Sequence, residues 1–358
     1  MILFTKIIGQ ELAKKILTKL YLKKHFPPLL FVGPTGVGKR TTAINFAQIV
    51  NCPTSGDLEN NKCLRCSQIG NLNNIDIKLY FPIPQQQYTQ ETEFSGDVLD
   101  YITENLPAYR LGETRPSLSQ TSYHPLALIH YIKSEMAYRP VICNYKVIII
   151  LDIHKIRPES ANALLKTLEE PQKETMFILT AERISQIMPT IRSRSQLVFF
   201  RKLKKAEIKN YLISKMGIDE KQAEVASNIA DGRIRNALVF LSNPQSVLPP
   251  EELIRLLDRN ITNASKLTAL IINNEILNNN LTVEKIISST LFLYRQVLFY
   301  KLNLPVIYNH EVIKKISNKL SYEELLIKIA VILNALNELS VNLNRRLFLF
   351  NLLTKLRI

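Results

Sequence analysis

The sequence predicts a parallel α/β sheet built around a phosphate-binding loop in its first two hundred residues, followed by a purely helical remainder. Three observations predict it. The apolar run Leu29–Val32 leads into Gly33-Pro34-Thr35-Gly36-Val37-Gly38-Lys39 and then into a helical pattern, the strand, glycine loop and helix order of a P-loop. Lys146–Leu151 and Met176–Thr180 are short apolar runs without alternation, as in strands covered on both faces. From about residue 200 onward, apolar residues recur at helical spacing.

The elements follow in order. Leu12, Ile16, Leu20 and Leu22 among lysines predict an amphipathic helix over 11–24, ended by Pro27-Pro28. After the P-loop, Ala43, Phe46, Ala47 and Val50 share one side of a helix. Residues 83–125 differ in composition, with Gln85-Gln86-Gln87, Ser117, Ser119, Thr121 and several prolines. They are expected as a surface insertion holding one short helix, Asp97 to Leu106. The strand that starts at Lys146 is expected to end at Asp152. A helix over 160–170 and the strands Met176–Thr180 and Leu197–Phe200 complete the α/β part. In the last hundred residues, Tyr322, Leu325, Leu326, Ile329, Ile332, Leu333, Leu336 and Leu339 follow i, i+3, i+4 spacing, and Leu347 to Leu356 is apolar-rich. Helical packing is enough to explain both.

Composition bounds the partners. With 46% hydrophobic and 22% charged residues, the chain reads as soluble and globular. The segment Met1–Gln10 has no basic region followed by an apolar run, and no apolar stretch reaches the roughly 18 residues of a membrane span. The cytoplasm is the expected location. The net charge of +15 favours an acidic partner, nucleic acid first. Lys, Asn and Ile are all abundant, as an AT-rich coding sequence produces, so the charge is weak support only. Cys52, Cys63 and Cys66 cluster while Cys143 stands apart, a pattern of a metal site or its remnant.

The loop chemistry is incomplete. Gly33, Gly36 and Gly38 let backbone N–H groups face a phosphate, and Lys39 adds charge. The next position, where a Ser or Thr hydroxyl holds Mg²⁺, is Arg40. Thr41 is turned about 100° further around the helix. Asp152 stands where P-loop enzymes place a metal-holding acid. A glutamate that activates water often follows it, but here Ile153 does. His154, read as lying on a strand end, is expected on the opposite face.

Longer motifs carry a family resemblance. Asn162-Ala163-Leu164-Leu165-Lys166-Thr167-Leu168-Glu169-Glu170-Pro171 resembles the signature of bacterial DNA polymerase III clamp-loader subunits, of the AAA+ family. Pro189-Thr190-Ile191-Arg192-Ser193-Arg194-Ser195 resembles that family's Ser-Arg-Cys segment, with Ser195 in place of Cys. Ile8-Gly9-Gln10 resembles its N-terminal box, and Gly232-Arg233-Ile234-Arg235-Asn236-Ala237-Leu238 its sensor-2 helix. These matches fall in order around the P-loop as far as about residue 240. Beyond it the resemblance is only that the chain is helical.

The resemblance implies an AAA+ nucleotide-binding domain at 1–201 with a degenerate zinc module at 52–69 and the insertion at 83–125. A helical lid at 202–242 and a helical collar for oligomerisation at 243–358 complete it. Arg40 and Ile153 depart from the working ATPases of the family, the gamma/tau subunits, while Arg194 is kept. The chain is therefore more similar to the delta-prime kind of subunit. It is expected not to hydrolyse ATP itself but to help load a sliding clamp onto primed DNA. Arg194 would act in trans on a neighbour's ATP. The alternative is an active gamma/tau-type ATPase. Implied partners are gamma/tau and delta subunits, the clamp, and DNA through its phosphates, with no membrane. Implied cofactors are ATP bound without turnover, at Gly33, Gly36, Gly38, Lys39, Thr41, Asp152 and Arg235, and zinc at Cys52, Cys63 and Cys66. Arg235 and the sensor-1 position Thr180 read either as nucleotide contacts or as relics. The family's fourth zinc cysteine is Ile69 here, so the three thiolates, helped by Asp57 or water, form either a weakened site or a remnant.

Overall fold

A computed structural model describes residues 4, 7–53, 63–84, 96–111, 122–242, 283–304, 306, 310–338 and 345–356. Its contacts divide the chain into two units, 1–241 and 242–358.

The first unit is a five-stranded parallel sheet. Its strands are β1 (Leu29–Val32), β2 (Ile77–Tyr80), β5 (Lys146–Ile150), β6 (Thr175–Ala181) and β7 (Gln196–Phe199), in the order β2-β5-β6-β1-β7. The three central strands are buried at every residue, the reason their sequences are unbroken apolar runs. On the edge strand β7, Gln196 and Phe199 reach solvent. Helices α1 (Glu11–Lys23), α2 (Lys39–Asn51), α3 (Leu64–Gly70), α5 (Leu126–Glu135), α6 (Pro158–Glu169) and α7 (Pro189–Ser193) accompany the sheet. One core joins Leu17, Phe46, Ile69, Ile129 and Leu164 to Phe31, Ile149 and Phe177.

The described parts of 83–125 are anchored in the core of the first unit. The hairpin β3 (Ile83–Pro84) and β4 (Ser122–Tyr123) is antiparallel. The expected short helix forms as α4 (Gly96–Asn105). Ile83, Val98, Ile102 and Tyr109 are buried in the main core, with Tyr109 stacked on Phe81. Aromatic and β-branched residues between the polar stretches supply this anchoring. Gln85 to Gln87, Ser117, Ser119 and Thr121 lie outside the described residues.

Two buried charges hold the loop between α5 and β5. Lys146, buried at the start of β5, donates to the Glu135 and Tyr138 carbonyls at 2.8 and 2.7 Å, a cation on the carbonyl end of α5. Asp76, 1% exposed, accepts from the N–H groups of Val141, Ile142 and Cys143 at 2.7–2.8 Å. Burial and the Asp76 charge push the Cys143 thiol up to about 11.

The segment 202–241 belongs to the first unit and has its own small core. Helices α8 (Lys205–Met216), α9 (Glu220–Ile229) and α10 (Ile234–Ser242) pack Ile208, Leu212, Ala223, Ala226 and Ala237 together. Lys209 bridges Glu220 and Glu224, both at 3.0 Å, across the outside of α8 and α9.

The second unit is helical where described: α11 (Val283–Lys301), α12 (His310–Lys319), α13 (Tyr322–Glu338) and α14 (Arg345–Lys355). Ile287, Leu293, Tyr294, Ile316, Leu325, Ile332, Leu349 and Leu353 form its core. The buried Tyr294 hydroxyl donates to the Leu356 carbonyl at 2.8 Å. Leu339 of the expected pattern lies outside the described residues. No helix among the described residues is long and apolar enough to cross a membrane.

Candidate functional site

The P-loop joins β1 to α2, and the fold grips it from three sides. On the first, the Gly33 N–H donates to Ala181 at the end of β6 at 3.2 Å. A Cβ on Gly33 would lie 2.3 Å from the Phe200 carbonyl oxygen, so the strand leaving β7 needs a glycine there. On the second, Gln10 donates to the Val37 carbonyl at 3.3 Å and to Arg201 O at 2.8 Å, and accepts from the Arg201 N–H at 3.0 Å. The Gln of the N-terminal box thus ties the loop to the entrance of the helical segment, a role its sequence did not reveal. On the third side lies the start of α10. The Arg235 N–H donates to the Gly36 carbonyl at 3.2 Å. With Gly36 at φ +79°, a Cβ there would meet the Cβ atoms of Arg235 and Arg233 at 3.1 and 3.2 Å. Arg235, expected from its motif, therefore does lie against the loop.

Gly38 (φ +101°) precedes α2, and its carbonyl accepts from both the N–H and the hydroxyl of Thr42 at 2.9 Å. Thr42, and not the half-buried Thr41, is the hydroxyl bonded to the loop backbone. Arg40 is half-buried on the first turn of α2. Lys39 is 8% exposed, and its ammonium donates to the Gly33 carbonyl and, at 2.8 Å, to that of Pro34. The buried ammonium is thus satisfied by the loop's own carbonyls.

Across β6, the sheet places Asp152 beyond the end of β5. The strand stops at Ile150, and Asp152 adopts a left-handed conformation (φ +51°) before a short 3₁₀ turn, Ile153–Lys155. The N–H of buried Asp152 donates to the Thr180 hydroxyl at 3.0 Å, so the sensor-1 candidate meets the acid through its backbone. Ile153 is 1% exposed, packed in the core. His154 falls in this 3₁₀ turn, which strand alternation does not govern, and its half-buried ring feels the charges of Asp152 and Glu182. Burial holds its pKa below the usual histidine value, against the pull of the two acids.

Arg194 follows α7 at the surface, its side chain 33% exposed. Its Nε and Nη2 both meet Oε1 of Glu169, the last residue of α6, and Nη1 donates to the Thr190 carbonyl at 3.1 Å. Two motifs twenty-five residues apart are thus one cluster.

The thiol sulfurs of Cys52, Cys63 and Cys66 lie within 4.8 Å of one another. Thiolates around a tetrahedral zinc are about 3.8 Å apart, so the three fit three of its corners. No further Cys, His, Asp or Glu joins them among the described residues, and Asp57 lies outside those residues. Ile69 is fully buried in the core and offers no ligand atom. Burial, then the neighbouring Cys52 and Cys63, pushes the Cys66 thiol up.

Residues 9–204 match the family described as "DNA polymerase III, delta subunit". The chain is 28% identical over 320 residues to DNA polymerase III subunit tau of Bacillus subtilis, covering 83% of this chain and 50% of that one. It is 30% identical over 247 residues to DNA polymerase III subunit gamma of Buchnera aphidicola, covering 67% and 58%. The chain thus spans about half the length of these relatives. A solved gamma subunit-related protein from Thermotoga maritima aligns over 96% of this chain and 97% of its own, at 16% identity and a TM-score of 0.43.

Proposed function

The chain belongs to the DNA polymerase III delta-subunit family, and from that premise we propose that it is a non-hydrolysing, cytoplasmic clamp-loader subunit of the delta-prime kind. Its partners would be gamma/tau and delta subunits, the sliding clamp, and primed DNA met through its phosphates. In this reading residues 1–201 form the nucleotide-binding-like domain, 202–242 the lid and 243–358 the collar.

The observation that carries the reading is Ile153. It follows Asp152 and is sealed in the core, so no side chain at that position can take a proton from water. Arg40 stands where a metal-holding hydroxyl would be, and Arg194 remains at the surface. ATP would be held without turnover by Gly33, Gly36, Gly38, Lys39 and Thr41, with Asp152 and Arg235 beside it. When bound, zinc would brace the segment through Cys52, Cys63 and Cys66.

The test is a loader reconstituted with gamma/tau-type and delta-type subunits, assayed for ATP hydrolysis with clamp and primed DNA. Arg194→Ala should lower hydrolysis at the interface it serves by about 10³-fold or more, while the isolated chain turns over no ATP. Unchanged hydrolysis and clamp loading with Arg194→Ala would remove the reading.

An active gamma/tau-type ATPase is the second reading. The names of the relatives favour it. Turnover by the isolated chain that disappears with Lys39→Ala would establish it.

A further inference from the structure

We propose that Glu169 is the positioning residue for Arg194, fixing the orientation in which its guanidinium is presented to the triphosphate of a neighbouring subunit. This rests on the trans-acting reading of Arg194.

A guanidinium carries five N–H groups in a flat fork. Glu169 Oε1 occupies the edge made by Nε and Nη2, and the Thr190 carbonyl holds Nη1. Nη1 also donates to Ser193 Oγ at 3.4 Å. These contacts engage four of the five N–H groups and leave the second N–H of Nη2, a charged donor suited to a phosphate oxygen. An unrestrained arginine would spread its charge over many rotamers. Here the long side chain is fixed from both sides by residues on two packed helices, α6 and α7.

The placement of Glu169 also argues for a dedicated role. It ends α6, where the helix dipole disfavours a carboxylate. With side chains 44% and 33% exposed, the pair lies where an ion pair adds little stability. A carboxylate against the dipole, in a pair of small stabilising value, has its most direct explanation in what it does to the arginine.

The experiment uses the same reconstituted loader, with ATP, clamp and primed DNA. It compares Glu169→Gln, Glu169→Ala, Arg194→Ala and the Glu169→Ala/Arg194→Ala double variant. Glu169→Ala should lower kcat by about tenfold to a hundredfold at that interface, the scale of a misplaced group, and leave KM for ATP within about twofold. Glu169→Gln, which keeps an acceptor oxygen, should fall between it and the wild type. The double variant should be no slower than Arg194→Ala alone. Thermal midpoints should coincide for all variants. If Arg194→Ala has no effect, the trans-acting reading fails. If Arg194→Ala is defective but both Glu169 variants behave as wild type, or the Glu169→Ala defect adds to that of Arg194→Ala, the positioning role is wrong.

Discussion

Asp76 shows how much one buried side chain organises here. Its carboxylate holds three successive backbone N–H groups and leaves Val141 and Ile142 facing solvent. Asp76→Asn replaces an acceptor-only group with one that also carries donors, so at least one of those N–H groups loses its partner. The expected cost is about 3 kcal/mol, read as a fall in the thermal midpoint of the first unit. His154 makes a second prediction. Its folded pKa is below the unfolded value near 6.5, so between the two the unfolded chain binds more protons. Stability is therefore complete above about pH 6.5 and is lost as pH falls through the folded pKa. His154→Gln should flatten the decline of the midpoint between about pH 7.5 and pH 5.5. An equally steep decline in the variant would assign it to other groups. The sequence named this histidine but not its 3₁₀ turn, to which strand alternation does not apply.

Among the elements, legibility follows how local the determining signal is. β1, β5 and β6 were readable because burial on both faces leaves an unbroken apolar run. The hairpin of β3 and β4 was not, because two residues on each side pair across about forty others and carry no period. The Glu169–Arg194 pair was hidden for the same reason: each residue sat in a recognisable motif, and neither motif encodes its contact with the other. In α3, Cys66 and Ile69 are one helical turn apart and so share a face. With Ile69 where the family resemblance puts the fourth cysteine, zinc held by Cys52, Cys63 and Cys66 should be stripped readily by a chelator. Ile69→Cys should retain about one zinc per chain through the same treatment, measured by elemental analysis. Equal loss from both proteins would mean that position 69 does not face the three thiols.

For the whole molecule, the division into two units makes a prediction about cooperativity. Residues 1–241 and 242–358 form distinct units, each with its own buried cluster, so unfolding of the full chain is not expected to be two-state. Calorimetry should resolve two transitions, and a fragment ending at residue 241 should keep one of them with its midpoint nearly unchanged. A single transition for the full chain, with no folded fragment, would show that the units depend on each other. The sheet order carries a last consequence, in time. Leu29–Val32 pairs only with residues 178–181 and 196–199, so the strand that launches the phosphate loop leaves the ribosome without a partner. About 150 residues must follow before β6 is complete, roughly 8–30 s at common synthesis rates of about 5–20 residues per second. Through that interval Leu29, Leu30 and Phe31, fully buried in the finished fold, have no sheet to enter. The glycine loop is synthesised about 150 residues ahead of the strand that completes its setting.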